Sequence, residues 1–194
     1  MSKTLPIKGT ALALFGESFP VENRVLNALE QLTADVSTRQ LEESACVIAD
    51  VFGAEGGFAV LFEKSDSQRG EVERKLIGKF HKNLQLLIKK SWVEKYDEAL
   101  KEQVLCRLEK FQGLVEKSDY SGAYKDFLEV LTDTVYLMFG AQSKKEDFTE
   151  YALRIDPEFG VFWLYVKALA SDGPGDNERC RVMLLLGMVF LANY

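Results

Sequence analysis

The amino-acid sequence predicts an all-α protein, an antiparallel helical array or bundle of roughly eight helices. Three observations predict it. Apolar residues recur at helical spacing along most of the 194 residues. Helix start and stop signals are readable along the chain. The connections between periodic stretches are short, which makes successive helices antiparallel neighbours.

Taken in order, residues 10–15 are open between a short strand and a helical turn. Pro20 suits the first position of a helix running to about residue 33, with Val21, Val25, Ala28, Leu29 and Leu32 along one face. Ser37 and Gln40 form a capping-box pattern, in which hydroxyl and amide satisfy orphaned backbone N–H groups at the start of a helix reaching about Phe52. Gly53, Gly56 and Gly57 break the chain before residues 58–62, which fit a buried helical turn or a lone strand. Residues 65–70 read as a polar loop. The run from Glu71 to Lys117 is helical in pattern and is split by a second capping-box pattern at Ser91 and Glu94 into helices of about 71–90 and 92–117, the alternative being one long helix with Ser91 incidental. Residues 118–122 read as a linker. Phe127, Val130, Leu131, Val135, Leu137, Met138 and Phe139 mark the next helix, ending near Gly140. Ser143 and Glu146 start another, which stops at Ile155 because Pro157 disfavours helical geometry at Asp156. A helix of about 158–170 carries Phe159, Phe162, Trp163, Val166 and Leu169. Asp176 then caps a final helix of about 177–192. The eleven residues from Val182 to Ala192 are its apolar run, too short for the roughly 20 needed to cross a bilayer. They read as the most buried helix. No connection is long enough to demand two domains, so residues 1–194 form one helical domain, with 1–64 and 70–194 as the natural subdivision.

Composition sets bounds on function. A chain that is 47% apolar and 28% charged can bury about 70% of its unfolded surface without a disulfide or metal. The net charge of −6 argues against a dedicated nucleic-acid binder, which would favour excess Lys and Arg. Cys46, Cys106 and Cys180 lie far apart and are expected to be small buried hydrophobes in a reducing compartment. The first residues lack the apolar run of a secretory signal, so a cytoplasmic location is expected, a processed mature chain being equally compatible.

No motif for catalysis, metal or cofactor stands out. His81 would be the base of any Ser/His/Asp or Cys/His unit, yet no nucleophile elbow or papain-like cysteine accompanies it. His81 and three dispersed cysteines give no zinc-ligand pair. Gly53, Gly56 and Gly57 lack the G-K-[ST] of a phosphate loop. The segment around Asp172 and Asp176 lacks the calcium-loop spacing. Glu98 and Glu102 fit a solvated charged face.

Near the C-terminus, Ala152 and Pro157, followed by Trp163, have the spacing of an A-x4-P helix ending that leads into the tryptophan of a following helix. Leu186, Gly187 and Phe190 fit an L-G-x2-aromatic packing pattern. On these residues the segment 143–194 resembles tetratricopeptide-repeat proteins. Lys145, Thr149, Lys167 and Ala170 depart from the repeat's pattern, and Trp163 and Met183 are 20 residues apart where a repeat spans about 34. The resemblance implies a helix-pair scaffold that binds proteins or peptides and performs no chemistry.

Charge is unevenly distributed. Residues 74–95 hold seven Lys or Arg and one acid, a local +6, so the remainder carries −12. At about 100° per residue, Lys75, Lys79, Lys82, Lys89 and Lys90 share one face, opposite Leu76, Ile77, Phe80, Leu84, Leu87 and Ile88. Leu86 is stranded among the lysines, and Trp92 and Tyr96 follow as candidate anchors. The expected function is a non-enzymatic scaffold or adaptor whose partner is another protein. The alternatives are an anionic-membrane or acidic-partner binder using residues 71–96, and a helical small-ligand binder or enzyme with a pocket invisible in sequence. A homo-oligomer is compatible with each, and nucleic acid ranks last.

Overall fold

The computed structural model describes residues 23–32, 36–63, 69–90, 98–173 and 175–192. Among them are eight α-helices and no strand: α1 (Asn23–Leu32), α2 (Thr38–Phe52), α3 (Arg69–Lys90), α4 (Glu98–Glu116), α5 (Tyr120–Phe139), α6 (Phe148–Ile155), α7 (Pro157–Asp172) and α8 (Asn177–Leu191). The all-α expectation holds. Residues 58–62 resolve as a 3-10 turn, with Phe58, Leu61 and Phe62 buried.

Local signals set several boundaries. Ser37 accepts from the Gln40 N–H at 3.3 Å, while the Gln40 side chain accepts from the Ser37 N–H at 3.0 Å, closing the capping box of α2. Asp156 is extended, ends α6 and caps α7, accepting the N–H groups of Glu158 and Phe159. Asp176 caps α8 through the Arg179 N–H at 2.8 Å. The expected turn at 10–15, Pro20, Val21 and the break at Ser91 and Glu94 lie outside the described residues.

Other expectations are corrected. Ser143 starts no helix: Gly140 has φ +59°, residues 140–144 form a 3-10 turn, and the Ser143 hydroxyl donates to the Gly140 carbonyl at 2.8 Å. The linker read at 118–122 is already helical from Tyr120, because Asp119 accepts the Gly122 N–H and Asn177, far along the chain, accepts those of Tyr120 and Ser121. Arg69 and Gly70 belong to α3 rather than to a loop. Cys46 is half-buried and Cys180 buried as small apolar groups, but Cys106 points outward from α4 and is exposed.

Helix α8 is the axis of the fold. Every residue from Cys180 to Leu191 is buried, and α2, α3, α5 and α7 pack around it. Helix α1 covers α2, α4 covers α5 and α3, and α6 folds back on α7. Phe80, Phe111 and Phe127 bring α3, α4 and α5 together with ring centroids 5.3–6.0 Å apart. Gly187 lets α8 approach them, since a Cβ there would lie 2.6 Å from the Phe127 ring. One contiguous core extends from Val25 to Ala192.

Candidate functional site

The basic face predicted for α3 is an outer face in the structure. Leu76, Ile77, Phe80, Leu84 and Ile88 are buried against the core. Lys75, Lys82, Lys89 and Lys90 are exposed, and Leu86 stands 44% exposed among them. Lys75, Lys82 and Lys89 recur every seven residues, which sets them about 10 Å apart in a near-straight row.

Several cations elsewhere in the fold are ion-paired. Arg107 reaches Asp133 at 2.7 Å and Glu129 at 3.3 Å, Lys110 reaches Asp126 at 2.7 Å, and Arg181 reaches Glu73 at 2.9 Å. Among the described residues none of Lys75, Lys82, Lys89 and Lys90 has an ion-pair partner. Lys79 differs from its neighbours: it is half-buried, with its ammonium 6.0 Å from the Phe58 ring centroid, so part of its charge is spent inside the fold. Trp92 and Tyr96 lie outside the described residues.

Two polar clamps aim this face. Arg181 is buried, donating to the Glu73 carboxylate and, at 3.4 Å, to the Leu61 carbonyl; its second terminal nitrogen, Nη1, has no partner. Burial raises the Glu73 carboxyl above its ordinary range, partly opposed by Arg69 and reinforced by Glu178. At the other end of α3, Asn83 donates to the Leu191 and Ala192 carbonyls at 3.3 and 3.0 Å, satisfying the end of α8. Sequence reasoning missed both clamps. The available signal was a lone arginine opening the longest apolar run, which demands a partner once buried.

On the side of α3 away from the lysine row, Leu84 and Leu87 meet Leu131, Val135 and Met138 of α5, Phe159 and Phe162 of α7, and Leu191 of α8 around an apolar slot of about 20 Å³. That is room for about one methyl-sized group. A larger cleft, about 470 Å³, is lined by Val51, Phe52, Ala54, Glu55, Asp156, Glu158 and Phe190.

Among the described residues the buried Nδ1 of His81 has no hydrogen-bond partner. Burial lowers its pKa below the ordinary 6.5, opposed by Glu109 and Glu116. Among the described residues no group of three His, Cys, Asp or Glu could hold a metal ion, and no helix is long and apolar enough to cross a membrane.

What the fold and this surface define is an all-α protein with a basic outer face on α3. No known protein family, curated protein or solved structure matches the chain.

Proposed function

We propose that the chain is a non-catalytic helical interaction module that receives an acidic segment of another protein on the outer face of α3. The observation that carries this is the row of exposed lysines with no ion-pair partner among the described residues, on a molecule that is −12 outside residues 74–95. An acidic remainder could neutralise such a row, and elsewhere acids do pair with Arg and Lys, so unpaired lysines keep their charge available to a partner. Leu86 adds an apolar contact at the centre of the row. Enclosure of α8 on four sides favours recognition on an outer helix face over recognition in a concave groove.

The test is a titration with a synthetic acidic helix bearing Glu at three positions seven residues apart, followed by fluorescence anisotropy. Binding is expected to weaken with added salt and to fall by at least about tenfold in a Lys75→Glu, Lys82→Glu, Lys89→Glu variant. Binding indifferent to salt and to charge reversal refutes the reading. Exposure of Leu86 amid the lysines also favours a second reading, docking on an anionic lipid surface. Sedimentation with anionic vesicles, lost in the same variant, supports that reading if the acidic helix does not bind.

A further inference from the structure

We propose that the acidic partner segment is a helix lying lengthwise along α3, with one bulky apolar side chain seated over Gly78 between Lys75 and Lys82. This rests on the reading of α3 as the receiver of an acidic segment, and it specifies the shape and register of that segment.

Lys75, Gly78, Lys82, Gln85 and Lys89 follow one another on α3 at alternating intervals of three and four residues. That is the spacing of a seam along which two helices pack lengthwise, each side chain of one entering a hole bounded by four residues of the other. Two successive holes are offered. Lys75, Gly78, Lys79 and Lys82 bound the first, and Lys82, Gln85, Leu86 and Lys89 bound the second.

The two holes differ in what fills them. Gly78 is exposed in the middle of α3, and no described atom lies within 4 Å of where a Cβ would stand. Lys79 is half-buried and engaged with the Phe58 ring, which draws it from the seam toward the 58–62 turn. In the second hole the same two positions hold Gln85, half-buried, and Leu86, 44% exposed. The first hole is therefore the open one.

Packing within the chain does not call for this glycine. A Cβ at Gly160 would lie 2.5 Å from Leu153, and one at Gly187 would lie 2.6 Å from the Phe127 ring, so each of those glycines admits a neighbour. Gly70 and Gly113 are as open as Gly78, but they belong to the first turn of α3 and the last turn of α4, where helical backbone bonds are incomplete in any case. In mid-helix a glycine weakens the helix relative to alanine. A partner side chain seated at Gly78 gives that weakness a use.

Charge and shape together define the occupant. Lys75, Lys82 and Lys89 are exposed and have no ion-pair partner among the described residues. A lysine presents an apolar four-carbon stem below its ammonium, so a leucine over Gly78 meets methylenes on both sides. Carboxylates seven residues apart on the partner, flanking that leucine, match the spacing of Lys75 and Lys82.

The test uses two synthetic acidic helices, each with Glu at three positions seven residues apart, titrated against the full chain by fluorescence anisotropy. One carries Leu midway between the first two Glu residues and the other carries Ala. The Leu helix is expected to bind about tenfold more tightly, a preference that helix content cannot produce, because Ala is the better helix former. Gly78→Leu fills the hole with a good helix former. It should erase the preference and weaken the Leu helix about fivefold or more, while raising the thermal stability of the free chain. Gln85→Leu should leave the preference in place. Equal binding of the two helices, a preference that survives Gly78→Leu, or a preference lost in Gln85→Leu overturns the proposal. In each of those cases the acidic-segment reading still stands if the Lys75→Glu, Lys82→Glu, Lys89→Glu variant loses binding. If neither helix binds the parent, both fall.

Discussion

Helix α8 buries every residue from Cys180 to Leu191, whereas α3 buries Leu76, Ile77, Phe80, Leu84 and Ile88 and leaves Lys75, Lys82, Leu86, Lys89 and Lys90 in water. A helix apolar on all sides must be enclosed, and a helix apolar on one side must face solvent with the other. The two touch along the core, so the difference assigns them separate work. Packing stability concentrates on α8, and α3 carries the face proposed for recognition. A substitution at α8 should therefore register as lost stability, and one on the outer face of α3 as altered binding.

The polar clamp between the two helices offers the largest break. Arg181→Ala strips the partner from a mostly buried Glu73 and is expected to cost about 3–5 kcal/mol in urea unfolding. Arg181→Met combined with Glu73→Leu should restore stability to within about 1 kcal/mol of the parent or exceed it, because no buried charge remains unpaired. A cost below about 1 kcal/mol for Arg181→Ala would mean that apolar packing alone fixes α3 on α8.

Alanine at the two helices' glycines sharpens the contrast, since the sign should invert. Gly187→Ala drives a Cβ to 2.6 Å from the Phe127 ring in a filled core and should destabilise by about 1–3 kcal/mol. Gly78→Ala, on the outer side of α3 with nothing within 4 Å of its Cβ position, should stabilise by about 0.5–1 kcal/mol through helix propensity. Equal signs in thermal unfolding would contradict the assignment of enclosed and open faces.

The smallest expected effect is on pH dependence. Burial holds the His81 pKa below 6.5, so between the folded and unfolded values the unfolded chain binds more protons. Stability therefore falls as the pH drops below 6.5 and is level above it. Glu73 and Asp133, whose carboxyls burial raises, act in the opposite sense at acid pH. The measurable quantity is accordingly the difference between the parent and His81→Gln: urea midpoints taken at about pH 7.5 and pH 5 should converge for the variant relative to the parent. An unchanged difference would mean that His81 titrates alike in both states.

Legibility followed the range of the interactions. Ser37 with Gln40, Asp156 before Pro157 and Asp176 before α8 were readable because each partner lies within three residues. The lysine row was readable because helical spacing alone places Lys75, Lys82 and Lys89 on one face. The start of α5 was not, since Asn177 reaches Tyr120 and Ser121 from the other end of the fold. Nor was the separate state of Lys79, whose ring partner Phe58 belongs to a preceding turn.

The sequence by itself determined most of the helices, the apolar run of α8 from Val182 and the basic face of α3, because periodicity, caps and proline act over a turn or two of chain. Only the tertiary structure decided where Arg181 finds Glu73, and that Glu55, Glu158, Phe52 and Phe190 share one cleft. Those outcomes depend on helices that meet across more than a hundred residues of chain, and the side chains that face one another there are selected by packing, which no local pattern encodes.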